Sequence, residues 1–219
     1  MSPLPPPFPV PNQVPLIHIT DVSNLPSILK DGGLTCHAGL AARGIRHTSI
    51  AYAEVQKRRA ETIVPCGQGG GLHDYVPLFF CVRPPMLLPI KSGRVPGRVQ
   101  DTIVHLVSSF VGVQQTGARF VFTDGHAIVA TTQFFTDPAD LDKVDWPLMT
   151  RTYWNDTVED GDRKRRRQAE FLTRGFLPWD AIEAIGVMNP DVAGHVQAAL
   201  AAEQNGRARP VRVKREWYY

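Results

Sequence analysis

Cysteine is scarce in this chain, and what there is does not pair off. Cys36, Cys66 and Cys81 are the full complement in 219 residues, and no two stand in a C-x-x-C. An odd number without that spacing excludes a disulfide framework and favours a reducing compartment. Long apolar runs are missing too: no stretch reaches the roughly 18 residues of a membrane span. The opening M-S-P-L-P-P-P-F-P-V-P has neither a basic n-region nor an apolar h-region, so no secretory leader is expected. We read a soluble, cytoplasmic protein without a membrane partner. Gly67-Gln-Gly-Gly-Gly71 is not followed by Gly-Lys-Ser/Thr, and no strand precedes it; a phosphate loop is excluded. His18, His73, His105 and His126 lack H-x-x-x-H spacing, so no metal is expected. Strong net charge is absent as well, and a total of +3 decides little about partners.

The distribution of charge says more. Apolar residues make up 43% and charged ones 21%, the composition of one globular domain. We expect a proline-rich arm over residues 1–13 without a core role, then a single domain over 14–219. Eight acids crowd residues 137–162, and the cationic run Arg163-Lys164-Arg165-Arg166-Arg167 follows at once. A second basic cluster holds Arg207, Arg209, Arg212, Lys214 and Arg215. Such patches can be the footprint of a polyanion. Beyond the first run stands one carboxylate, Glu170, in Q-A-E-F-L-T. Read as a strand, that stretch puts Gln168 and Glu170 on one face and Ala169 and Phe171 on the other. Two readings stay open: a solvated arginine helix with Glu170 as a salt-bridge partner, or a carboxylate at the inner end of a cationic ramp.

In chain order, Pro15–Thr20 reads as a short strand carrying His18. Asp21 or Ser23 then caps a helix that stops at Gly32-Gly33. Residues 36–48 read as a loop and 49–59 as a helix on which Tyr52 and Arg59, seven apart, share one stripe. Residues 72–81 and 101–109 read as strands, with His105 in the core. Phe120–His126 is a strand ending in an Asp-Gly turn beside His126, and 136–162 is a long excursion with some helix. Strands at 168–173 and 181–188, a helix over 192–200 and a basic strand over 210–214 complete an α+β pattern.

Several spaced blocks carry a resemblance: P-L-I-H-I-T (15–20), S-I-A-Y-A-E-V-Q-K-R-R (49–59), L-H-D-Y-V-P-L-F-F (72–80), H-L-V-S-S (105–109), F-T-D-G-H (122–126), R-R-Q-A-E-F-L (166–172) and the closing W-Y-Y. Over roughly residues 15–219 the chain resembles DarT-type DNA ADP-ribosyltransferases, the toxin halves of bacterial toxin–antitoxin pairs. The resemblance implies an ADP-ribosyltransferase fold, α+β, with two facing mixed sheets and peripheral helices around an NAD+ cleft. It implies NAD+ as the substrate donor, single-stranded DNA as acceptor with thymine ahead of guanine, and a macrodomain antitoxin as partner. Glu170 and Arg59 match the catalytic pair, and Arg59 also the cofactor contact. His18, Ile19, Thr20, Ser27 and Tyr52 match NAD+ contacts, with the NAD-binding element at about 36–58. Residues about 120–165, with His126, match the substrate-recognising loop.

The chemistry asks for these residue types. Cleaving the nicotinamide–ribose bond builds positive charge on the sugar, as in glycoside hydrolysis, and a carboxylate beside it stabilises that charge. Thymine N3 carries a proton that must leave, so the same carboxylate can act as base. Arg59 offers a fixed fork that Lys would not reproduce. DNA must enter as a single strand; His126, Tyr153 and Trp154 could stack bases while Arg163, Arg165, Arg166 and Arg167 track phosphates. From the residues alone, alternatives stay open: a metal-dependent nuclease using His73, Asp74, His105 and His126, a non-catalytic nucleic-acid-binding module, or transfer to RNA or protein.

Overall fold

A single residue pair, Ile17 opposite Phe79, joins the two halves of the main sheet. The computed structural model describes residues 7–203 and 207–219. Strand β1 (Pro15–Asp21) runs into a 3-10 turn over Val22–Asn24 and helix α1 (Leu25–Asp31). The Asp21 carboxylate accepts the Ser23 N–H to start the turn, and α1 ends at Gly32, whose φ of 81° is the left-handed cap that glycine supplies without strain. Then follow β2 (Gly33–Thr35), α2 (His37–Ala42), α3 (Ala53–Glu61), β3 (Tyr75–Phe79), α4 (Leu87–Lys91), β4 (Ile103–Ser109) and α5 (Phe110–Gln115). The second half holds β5 (Phe120–Thr123), β6 (Phe134–Phe135), α6 (Trp146–Met149), α7 (Arg163–Arg166), β7 (Glu170–Arg174), β8 (Phe176–Pro178), β9 (Ala184–Val187), α8 (Pro190–Ala202) and β10 (Val211–Val213).

The large sheet has the order β10-β9-β4-β1-β3-β7-β5-β6, and β2 pairs with β8 in a small second sheet. Only β10–β9 is parallel, so the sheet is mixed. β1 pairs with β4 over seven residues but meets β3 at one. Pro77 in β3 has no N–H to give to β1, so a full ladder cannot form on that edge. Its carbonyl instead accepts from His18 Nδ1 at 2.8 Å. Beyond this joint the strands part and open a cleft between the β10-β9-β4-β1 and β3-β7-β5-β6 halves of the large mixed sheet.

Behind the sheet, Phe80, Phe110, Phe122, Phe171 and Trp146 pack into the main core with edge-to-face contacts such as Phe80–Trp146 at 5.3 Å. Burying such rings fully is worth about 1.5–3 kcal/mol each, which fixes the face of β7 that points away from the cleft. Three expectations need correction. Phe8 lies in this core and its N–H donates to the Asp142 carbonyl at 2.8 Å, so the arm is tied down near its end; residues 1–6 lie outside the described residues. Residues 36–48 are not all loop, because the Cys36 sulfur caps α2. The helix read over 49–59 starts only at Ala53, with Tyr52 as its extended N-cap.

Candidate active site

A cavity of about 380 Å³ opens where the two sheet halves part, walled by β1, α2, α3 and β3. At its inner end β7 delivers Glu170. The side chain is 2% exposed, and the main-chain N–H of Glu170 is held by the Thr123 hydroxyl on neighbouring β5. One carboxylate oxygen, Oε2, accepts from Arg59 Nη1 at 2.8 Å, and Oε1 accepts the Ala127 N–H at 3.1 Å. His126 Nε2 stands 4.0 Å from the same Oε1. Burial alone would raise the Glu170 pKa, but Arg59, His126 and the Ala127 N–H outweigh it and hold the carboxyl below the usual range. Burial pushes the His126 ring down, against the pull of Glu170, and Arg59 and Arg58 add to the fall. The site therefore presents a carboxylate beside a neutral imidazole at neutral pH.

Arg59 comes from the last turn of α3 and is the one buried residue of that helix. α3 itself is pinned by Arg58 Nη2, which donates to the Ile128 carbonyl at 2.9 Å. Arg59 Nη2 is buried without a partner. An orphaned donor on a buried cation costs free energy, so this atom is poised for a ligand oxygen. The residues fit an anionic dinucleotide: a concave, mostly apolar cleft with a few convergent polar groups.

His18, Ile19, Thr20, Ser27, Tyr52, Arg59, His126 and Glu170 all line the one cavity. Gln168 lines it as well, but from the turn after α7 and not from the strand it was expected to share with Glu170, because β7 begins only at Glu170. Residues that the pattern did not single out hold the site together. Asn24 donates to Thr20 Oγ1 and to the Thr48 carbonyl, both at 2.9 Å, and accepts the Thr48 N–H at 2.8 Å. It clips the loop before Tyr52 onto the first strand. The signal was an Asn straight after a capped turn, which looks like any other helix start.

The cationic ramp is a correction. Arg165 pairs with Asp124 at 2.9 Å and Asp162 at 2.7 Å, and Arg166 with Asp145 at 3.0 Å and Asp160 at 2.6 Å. Arg167 is 2% exposed and donates to the carbonyls of Leu148 and Arg83. These three are spent on acids and carbonyls of the preceding excursion, of the β5 turn and of Arg83, so they are not a free track for phosphates. Arg163 donates to the Tyr153 carbonyl at 2.8 Å. The run instead positions the site: the Arg165 carbonyl accepts the His126 N–H at 3.0 Å. Trp154 is also buried, its Nε1 donating to the Tyr219 hydroxyl at 2.9 Å, so it has no face to offer a base. Tyr153 beside it is 83% exposed.

The nuclease set does not assemble. His105 is fully buried, with Nδ1 at 3.0 Å from the Tyr218 hydroxyl and Nε2 at 2.9 Å from the Val82 carbonyl, a core histidine as expected. Among the described residues no group of His, Cys, Asp and Glu could hold a metal ion. No helix of the described residues is long and apolar enough to cross a membrane.

The chain and its fold are similar to those of known proteins. A family model described as "ssDNA thymidine ADP-ribosyltransferase, DarT" matches residues 17–219. A DNA ADP-ribosyl transferase of Thermus aquaticus is 39% identical over 213 residues, which cover 97% of this chain and 91% of that one. Thermus sp. 2.9 DarT in complex with ADP-ribosylated ssDNA superposes with a TM-score of 0.90 at 38% identity, over 97% and 99% of the two chains. The same protein in complex with NAD+ gives 0.86 at 36% identity, over 96% and 100%.

Proposed function

The chain belongs to the DarT family of single-stranded-DNA thymidine ADP-ribosyltransferases, and from that premise we propose that Glu170 and Arg59 carry an NAD+-dependent transfer of ADP-ribose to thymine. The protein is an ADP-ribosyltransferase with NAD+ as donor substrate and single-stranded DNA as acceptor. The observation that carries the assignment of roles is the Glu170 carboxylate, buried in the cavity wall and held ionised by Arg59 at 2.8 Å.

When bound, NAD+ supplies an activated ribose whose leaving group is neutral nicotinamide. Glu170 lies where its charge can stabilise the cation that develops at the ribose as the C1′–N bond breaks. As N3 of thymine bonds to C1′, its proton passes to a carboxylate oxygen. Arg59 holds the carboxylate in place and turns Nη2 toward the donor. His18, Ile19, Thr20, Ser27 and Tyr52 bind the dinucleotide along β1, α1 and the head of α3. His126, beside Glu170, faces the incoming base. Closing this chemistry inside a low-dielectric wall strengthens each of these interactions over its value in water.

Only an unpaired base can reach a site this recessed, which supports a single-stranded acceptor. Tyr153 is the remaining exposed ring on which a base could stack, and Arg163 remains a candidate phosphate contact. We further propose a domain of residues 14–219 with its NAD-binding element at about 36–58 and its substrate loop at about 120–165. Action in the cytoplasm as a toxin, opposed by a macrodomain antitoxin, is proposed from the family. Mass spectrometry of oligonucleotides incubated with protein and NAD+ tests the whole reading. One added ADP-ribose on thymine-containing strands is expected; no mass change on any strand would overturn it.

A further inference from the structure

Three imidazoles line one side of the cavity, and neither the catalytic pair nor the first strand accounts for them. The ring of His37, the first residue of α2, lies against that of His73 with centroids 4.1 Å apart and planes 32° from parallel. His47 packs edge-on against His37 at 5.7 Å and 85°. His73, in the turn before β3, has Nε2 3.0 Å from Gln56 Oε1. Gln56 stands one helical turn before Arg59, and all five side chains line the cavity. Resting on the NAD+ reading above, we propose that His37, His47 and His73 form the diphosphate-binding wall of the cavity and take up a proton when the diphosphate enters.

The charges around the rings support this. Every carboxylate near them is already paired: Asp74 with Arg174 at 3.1 Å, Asp31 with Arg43 at 2.8 Å, Glu170 with Arg59 at 2.8 Å. The remaining neighbours are cationic or neutral, namely Arg59 on α3, Arg46 next to His47, and His126. Two imidazoles whose centroids lie 4.1 Å apart cannot both hold a proton without a counter-ion, since like charges at that distance repel strongly in a partly desolvated site. Burial lowers the His47 and His73 pKa values, His37 lowers both further, and Arg59 adds to the fall at His73, outweighing the opposite pull of Asp74 and the Gln56 oxygen there. A diphosphate brings two negative charges, reverses the local field and gives the rings something to donate to. Buried Arg59 Nη2, still without a partner, would take an oxygen of the same ligand. Binding and protonation are then linked: tightening at low pH and proton uptake are one effect seen twice.

Calorimetry on the full chain separates the outcomes. NAD+ is titrated at pH 6.5 in MES and in imidazole, whose ionisation heats differ, and its Kd is followed from pH 6 to 8. The expected result is uptake of about half to one proton and a Kd that weakens by roughly tenfold over that range, as a single linked ionisation allows. In the H37Q/H73Q variant the uptake should vanish and the Kd should no longer change with pH. His37 is exposed, so His37→Gln alone, which should halve the uptake or more, reports without risk to folding. Tight NAD+ binding without uptake in the unaltered protein overturns the inference and leaves the NAD+ reading standing. Uptake undiminished in the triple variant H37Q/H47Q/H73Q also overturns it, moving the proton to His18 or His126. No NAD+ binding at any pH would sink both.

Discussion

The Thr123 hydroxyl accepts the main-chain N–H of Glu170 at 2.9 Å and donates to the Gly125 carbonyl at 2.6 Å. One buried oxygen thus ties the strand that carries the carboxylate to the turn that carries His126. Thr123→Val keeps the shape and removes both bonds, leaving an N–H and a carbonyl unsatisfied. The expected cost is about 1–3 kcal/mol, read as a lower urea midpoint with unchanged slope. Since the loss also frees Glu170 and the His126 turn to shift, kcat should fall while NAD+ affinity holds; Thr123→Ser should restore both. A Val variant with normal turnover would show that the tie is structural only.

Glu170 is best removed in two ways. Glu170→Ala leaves Arg59, 8% exposed, as an unpaired buried cation, and breaking such a pair costs about 3–5 kcal/mol. A dead Ala variant could therefore be an unfolded one. Glu170→Gln keeps an oxygen toward Arg59 and should fold, yet cannot take the base proton or carry negative charge to the ribose. Loss of ADP-ribosylation by at least about a hundredfold, with the melting point within a few degrees of the parent, is the expected outcome. Near-normal transfer by the Gln variant would remove Glu170 from its assigned role.

How much of this was legible in the sequence depends on the range of the interaction. Glu170 and Arg59 took their roles from the resemblance, since local pattern left each with a plain structural reading, whereas the capped helix ending at Gly32 was readable from its end signals alone. The split of the sheet was implied by the resemblance but not readable in any local pattern, since it depends on Pro77 meeting His18 across 59 residues of chain. The arginine run misled for a related reason. Local charge marks where cations are, but the acids that bind Arg165 and Arg166 come from the excursion before them and from the β5 turn. Trp154 was ambiguous until the C-terminal Tyr219 came back to meet it. The histidine wall was invisible, because His37, His47 and His73 join only when α2 folds over the turn before β3.

Acid should unfold the protein earlier than its carboxylates alone would require. Burial pushes His105 down to about 3 from an ordinary 6.5, and the folded ring stays neutral between the Tyr218 hydroxyl and the Val82 carbonyl. The unfolded chain binds this proton near pH 6.5 and the folded chain does not. Its contribution is therefore intact above about 6.5 and is lost as pH falls toward 3, at up to about 1.4 kcal/mol per unit. His18 and His126, also lowered by burial, act in the same direction. Urea midpoints at pH 7.5 and 5.0 should drop accordingly, and His105→Asn, less stable overall, should drop less steeply. Equal slopes for the two proteins would mean that His105 is protonated in the fold.

Arg166 discriminates between a phosphate contact and a structural cation. Its guanidinium is 11% exposed and lies between Asp145 and Asp160, which are 9% and 15% exposed; burial alone would lower its pKa, but those two carboxylates outweigh it and leave it raised. Arg166→Met should therefore cost stability, of the order of 3 kcal/mol for a mostly buried pair broken on one side. A cation that touched DNA would behave differently. Removing it would lower the slope of log affinity against log salt for a single-stranded oligonucleotide by about 0.7 and leave the melting point nearly alone. For Arg166→Met we expect the melting point to fall and the salt slope to stay. Tyr153→Ala supplies the contrast: its ring is free, so stability should hold while oligonucleotide affinity weakens by about 1–3 kcal/mol, the worth of one stacked base. The two variants exchange signatures only if DNA displaces the acids from Arg166, and a salt slope reduced in Arg166→Met would be the evidence for that exchange.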